Sequence, residues 1–228
     1  MQVVHGALIA SAVLAAVAGA RAQAPENQSA DLVTYIEVTP PAEAQAAALL
    51  RQVAAASRKE GGNVRYDVLQ STDRASQFAI LETWRDGKAF KAHAGGGAMK
   101  QFRAALDPLR ISYYDERLDT AIDAAAPQPA GKEAIYVATH VDVTGQFKDD
   151  AIVMMKKLAA DGRREAGCER FEIWQQNNRL NHFTVVEVWK DKSALEAHGR
   201  TAAAREFREQ VGHMMGALYD DRRYRALE

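Results

Sequence analysis

Two stretches of the chain carry apolar side chains on both faces of an extended segment. They are QFAILETW (77–84) and HFTVVEVW (182–189). In the second, Phe183, Val185 and Trp189 point one way and Val186 and Val188 the other, as in a strand buried on both sides. VTYIEV (33–38), YVATHVDV (136–143), NVRYDVLQ (63–70) and CERFEIWQ (168–175) are rich in β-branched and aromatic residues and predict four more strands. Between them the spacing changes. Ala46, Leu49, Leu50 and Val53, like Ala151, Met154, Met155 and Leu158, recur at i, i+3, i+4 and i+7, the stripe of an amphipathic helix. Gly61, Gly62 and Gly167 end those helices. STDRAS and QNNRLN turn the second strand of each set into the third as a hairpin, and Asp86 caps a further helix. A last short strand is expected to include Tyr113 and Tyr114, and Leu218 and Tyr219 in its counterpart.

Every element occurs twice, at a constant offset of 105 residues (Glu82 to Glu187), without a gap from about Leu32 to the C-terminus. ETWRDGKAFKAH (82–93) returns as EVWKDKSALEAH (187–198). Ungapped repeats are two copies of one folded unit. The order β-α-β-β-α-β is ferredoxin-like and makes the chain α+β. An antiparallel sheet with helices on one face leaves its other face bare, and the two copies cover each other there, sheet on sheet. The expected units are 32–120 and 134–228, joined by a Pro/Ala/Gly linker at 121–133.

Ala7 to Gly19 is an apolar run too short to span a bilayer, followed by Ala20-Arg21-Ala22 with small residues at a cleavage point. This predicts a signal peptide over 1–22, an N-terminal linker over 23–31, and an exported protein, periplasmic or secreted. No later segment is apolar enough to span a membrane. The 228 residues are 47% hydrophobic with a net charge of −1, and Lys and Arg are scattered, which speaks against a nucleic-acid partner. Cys168 is the single cysteine, so no internal disulfide forms. The six histidines show no metal-binding spacing, and no metal is expected.

Glu82, Trp84, Ala89, His93 and Phe102, and again Glu187, Trp189, Ala194, His198 and Phe207, form an ExW–AxxxH–F pattern. It resembles that of the antibiotic biosynthesis monooxygenase (ABM) family across nearly all of the mature chain. The resemblance implies two ferredoxin-like βαββαβ units packed as an intrachain dimeric α+β barrel, a fused dimer. Some members oxidise quinols or polycyclic phenols with O2 and no cofactor, others cleave haem, and many have no known activity. The haem-cleaving branch depends on an Asn that VTYIEV and ATHVDV lack.

For such an oxidation His93 and His198 are the candidate bases, Glu82 and Glu187 the acids that orient them, and Trp84 and Trp189 pocket walls. A buried Glu bonded to a His also serves fold alone, and both readings stand. His140, Trp174 and His182 replace Tyr35, Leu69 and Gln77 of the first copy and are candidate ligand contacts or core and surface residues. Gly95, Gly96 and Gly97 suggest a loose loop or a pocket lid. The leading expectation is an exported, cofactor-independent monooxygenase acting on a small phenolic or quinol molecule with O2. The alternative is a non-catalytic small-molecule-binding pseudo-dimer.

Overall fold

A computed structural model describes residues 26–124, 126 and 129–227. The apolar run and cleavage point read over 1–22 lie outside them. The first copy comprises β1 (Ala30–Glu37), α1 (Glu43–Ser57), β2 (Asn63–Ser71), β3 (Gln77–Trp84), α2 (Gly87–Gly95), α3 (Gly97–Leu106) and β4 (Asp115–Asp123). The second comprises β5 (Ile135–Asp142), α4 (Lys148–Gly162), β6 (Cys168–Gln176), β7 (His182–Trp189), α5 (Lys192–Gly199), α6 (Ala202–Gly212) and β8 (Asp220–Ala226).

The eight strands close into one antiparallel barrel in the order β1-β3-β2-β8-β5-β7-β6-β4. Each copy supplies a four-stranded sheet, and both seams cross between copies. Leu69 of β2 faces Ala226 of β8, and Asp119 of β4 faces Gln176 of β6. Strand alternation then sorts the side chains. Ile36, Phe78 and Trp84 lie under the first copy's helices, Val141, Phe183 and Trp189 under the second's. Val33, Leu81, Val186 and Val188 meet inside the barrel. The two undersides shield each other as the doubled apolar strands require.

The barrel interior also holds ions, arranged by the pseudo-twofold. Arg65 bonds Glu172 across the copies at 2.9 Å, and its counterpart Arg170 bonds Asp67, the counterpart of Glu172, at 3.0 Å. Trp174 donates its indole N–H to Glu172 at 3.1 Å. Asp119 is fully buried, accepts from the Thr184 hydroxyl at 3.2 Å, and has its carboxyl pushed up to about 8 by burial.

Two expectations need correction. The helix begun at Asp86 is two helices: Gly96, in an extended conformation, separates α2 from α3, and Thr201 does the same between α5 and α6 while capping Ala204 N–H. The Gly95–Gly97 run is therefore an interhelical joint. The last strands begin at Asp115 and Asp220, after the tyrosines; Tyr113 and Leu218 stand 93% and 91% exposed. β1 starts at Ala30, and β4 continues through Ala121 to Asp123 to pair with β6. The sheets run continuously around the barrel, as expected of an intrachain dimeric α+β barrel, since each copy's last strand binds the other's second.

Candidate functional site

Gly62 and Gly167 set the geometry from which each site grows. Both have positive φ (95° and 88°), a region that favours glycine. A Cβ on Gly62 would lie 2.6 Å from Ala89 Cβ, and one on Gly167 2.8 Å from Ala194 Cβ. The missing side chains let α2 and α5 sit close against the turns that precede β2 and β6. Asp86 and Asp191 cap those helices by accepting from Ala89 and Ala194 N–H at 2.7 and 2.8 Å. One turn on, His93 and His198 point inward.

Each imidazole is held in the same way. Its ring stacks on the tryptophan: His93 on Trp84 at 4.3 Å between centroids, His198 on Trp189 at 4.6 Å. Its Nδ1 lies 3.1 Å from the Glu60 carboxylate in the first copy and 3.0 Å from Glu165 in the second. Its Nε2 faces Glu82 at 3.5 Å or Glu187 at 3.7 Å. The indole N–H of Trp84 donates to Glu82 at 2.8 Å, and that of Trp189 to Glu187 at 2.7 Å. Burial drives the Glu82 carboxyl up to about 8 and raises Glu187, whereas desolvation lowers His93.

The expected Glu–His–Trp convergence is thus present twice, with one change of role. The acid in hydrogen-bond range of each imidazole is Glu60 or Glu165, neither of which was among the candidates. Both belong to the repeated Arg58/Glu60/Gly62 and Arg163/Glu165/Gly167 pattern, and that repetition was the available signal.

The copies differ in what lies beside this cluster. In the second, a cavity of about 410 Å³ opens between the sheet and α5–α6 and is lined by Glu187, His198, Thr139, Phe207 and Arg208. Trp189 stands behind the imidazole and does not line it. In the first copy the corresponding positions carry bulk. Phe90 replaces Leu195 and Met99 replaces Ala204; Met99 is buried in the core, with Phe90 packed against it. His93 is 1% exposed and Glu82 2%.

Arg103 of the first copy bonds Glu116 at 3.0 Å. Its counterpart Arg208 donates to the Gly199 carbonyl at 2.6 Å and, among the described residues, has no carboxylate in ion-pair range. Asp221, a methylene shorter than Glu116, pairs with Arg223 instead. The mouth of the cavity is completed by Thr72 and Asp73 from the first copy's hairpin, with Thr72 N–H on the Arg223 carbonyl at 3.0 Å.

His140, Trp174 and His182 do not join the site. His140 and Trp174 point into the barrel, where His140 packs edge-on to Tyr35 at 5.2 Å and burial pushes it down to about 3. His182 sits at the start of β7, paired with Asp142 at 3.0 Å. Cys168 is half-buried, and burial pushes its thiol up to about 11. Among the described residues no helix is long and apolar enough to cross a membrane.

An uncharacterized protein of Synechocystis is 25% identical over 96 residues, 42% of this chain; the match spans about 65% of that relative's length. Two solved structures share the fold. A candidate monooxygenase from Fusobacterium nucleatum superposes with a TM-score of 0.77 at 17% identity, covering 88% of this chain and 93% of its own. An anthrone oxidase-like protein superposes with 0.69 at 14%, covering 90% and 94%. The Antibiotic biosynthesis monooxygenase model matches residues 31–105 and again 134–210, one match per copy. Matched over both halves, the chain belongs to the antibiotic biosynthesis monooxygenase family.

Proposed function

We propose that the chain is an exported, cofactor-independent monooxygenase that oxidises a phenolic or quinol small molecule with O2 in the cavity of its second copy. The observation that carries this reading is the opening of that cavity onto Glu187 and His198, a carboxylate–imidazole pair shielded from bulk water. Removing the O–H proton of a phenol gives an electron-rich anion able to pass an electron to O2. Glu187 is the group placed to take that proton, and burial makes it a stronger base than an exposed carboxylate. Arg208 supplies a cation beside the resulting oxyanion.

The stoichiometry needs no further reductant. The ring gives up its O–H and one C–H hydrogen, one oxygen atom enters as a second carbonyl, and the other leaves with the two hydrogens as water. The substrate provides all four electrons. The purified protein, with chelator and without flavin, is expected to consume one O2 per naphthol without releasing peroxide. Glu187→Gln lowers kcat by about a hundredfold. No uptake above buffer across a broad panel of quinols and naphthols overturns the proposal.

A second reading has its own observation. The first copy keeps the whole Glu–His–Trp cluster where bulky side chains occupy the cavity positions, so that cluster is compatible with a structural role. A pseudo-dimer that binds an aromatic molecule without transforming it would be stabilised thermally by ligand and show no turnover.

A further inference from the structure

His198 bridges two carboxylates of unequal exposure. Glu187, 8% exposed at the side chain, faces the cavity; Glu165, 21% exposed, lies on the far side of the ring at the turn between α4 and β6. Both Glu165 oxygens lie near Nδ1, at 3.1 and 3.0 Å. A carboxylate oxygen accepts, so in a neutral imidazole this contact favours the proton on Nδ1 and turns the Nε2 lone pair toward Glu187. Trp189 and Phe171, with ring centroids at 4.6 and 5.7 Å, surround the imidazole. They leave the two acids as its polar neighbours.

We propose that Glu165 is a positioning residue and the solvent end of a proton path that runs from the substrate O–H through Glu187 and His198. This rests on the monooxygenase reading above. Glu187 takes the substrate proton and passes it to Nε2. The proton on Nδ1 moves to Glu165, which releases it to water. When the O–O bond breaks, a proton travels the same path inward to the departing oxygen, and the imidazole regains its starting tautomer. The path requires the 3.7 Å gap between Glu187 and Nε2 to close by about 1 Å when substrate binds, as catalytic contacts tighten in a complex. The path explains why a buried base need not hold the proton it removes. It also gives Glu165 a task distinct from supporting α5, and the first copy is an internal control: Glu60 holds His93 in the same way beside filled cavity positions.

The test uses the full chain and two readouts. In the first, ¹⁵N-histidine spectra report the tautomer of each ring. His198 is expected as Nδ1–H in the wild type, with Glu165→Gln shifting it toward Nε2–H and Glu165→Asp preserving it. A wild-type Nε2–H tautomer overturns the path. In the second, 1-naphthol is bound anaerobically and its ionisation followed by absorbance after a pH jump. Glu165→Gln is expected to slow ionisation by about a hundredfold with unchanged naphthol affinity. Glu165→Asp and added formate restore the rate, and Glu60→Gln leaves it unchanged. An ionisation rate in Glu165→Gln within twofold of wild type overturns the proposal. Neither readout requires oxygen, so a protein that ionises naphthol by this route yet consumes no O2 defeats the oxygenase reading and leaves the path standing. If naphthol does not bind, the cavity reading fails and the tautomer alone decides the role of Glu165.

Discussion

Met99 and Ala204 occupy the same place in the two copies: the methionine is buried in the first core, and the alanine lies at the wall of the second copy's cavity. With Phe90 against Leu195, this difference separates a filled volume from an open one. Ala204→Met with Leu195→Phe is expected to abolish binding of a phenolic ligand while the protein stays folded. Met99→Ala is expected to cost about 2–5 kcal/mol, as for a buried methionine truncated in a core. Combined with Phe90→Leu, it raises calorimetric ligand stoichiometry from one per chain toward two. A stoichiometry still at one, with binding lost on His198→Ala, means the first copy cannot be opened by side-chain volume.

The barrel interior gives stability a pH slope of known sign. Asp119 is pushed from 3.8 in the unfolded chain to about 8 in the fold, so its contribution is complete below pH 4 and is lost as pH rises through 8. His140 is pushed from 6.5 to about 3, so its contribution is present above pH 6.5 and is lost as pH falls toward 3. Urea unfolding should therefore weaken on both sides of a middle range. Asp119→Asn keeps an acceptor for Thr184 and flattens the decline between pH 6.5 and 9 while leaving the acid side in place. An unchanged alkaline slope removes Asp119 as its source.

Arg65 and Glu172 bind the copies together from inside the barrel, where their side chains are 9% and 3% exposed. Arg65→Met leaves a buried carboxylate without its ion partner and is expected to cost about 3–5 kcal/mol. Arg65→Met with Glu172→Gln recovers most of that loss, because the glutamine carbonyl still accepts from Trp174. Chemical denaturation of the single and double variants gives the coupling, and additive losses would mean that the pair is not energetically linked.

Gly62→Ala and Gly167→Ala are matched substitutions with unmatched consequences. Each forces a side chain into positive φ and into the helix above it, at a cost of about 1–3 kcal/mol. Gly167→Ala also pushes α5 from the sheet and weakens ligand binding; Gly62→Ala acts on the filled copy and leaves affinity unchanged. Thermal unfolding with and without ligand tells them apart.

Much of this was legible in the chain. Period-two strands with two apolar faces, such as HFTVVEVW, required a partner sheet, and the 105-residue offset supplied one. The Glu–His–Trp convergence followed from strand and helix periodicity. What escaped was set by single contacts. A lone extended residue, Gly96 or Thr201, breaks a helix whose apolar spacing continues across it. The starts of β4 and β8 depend on long-range pairing with β1 and β5 rather than on the adjacent tyrosines. Glu165 is 33 residues from His198 and meets it only through the turn that Gly167 allows. The cavity reflects two changes in side-chain volume, each innocuous alone.

The exchange of last strands between copies has a consequence for sequence. In a symmetric pair of identical chains, one sequence must serve both halves, and any alteration is felt twice. With β4 pairing into the second half and β8 into the first, a single chain keeps the shared closure while its two halves are free to differ in sequence. One half can then keep its volume filled while the other opens a cavity.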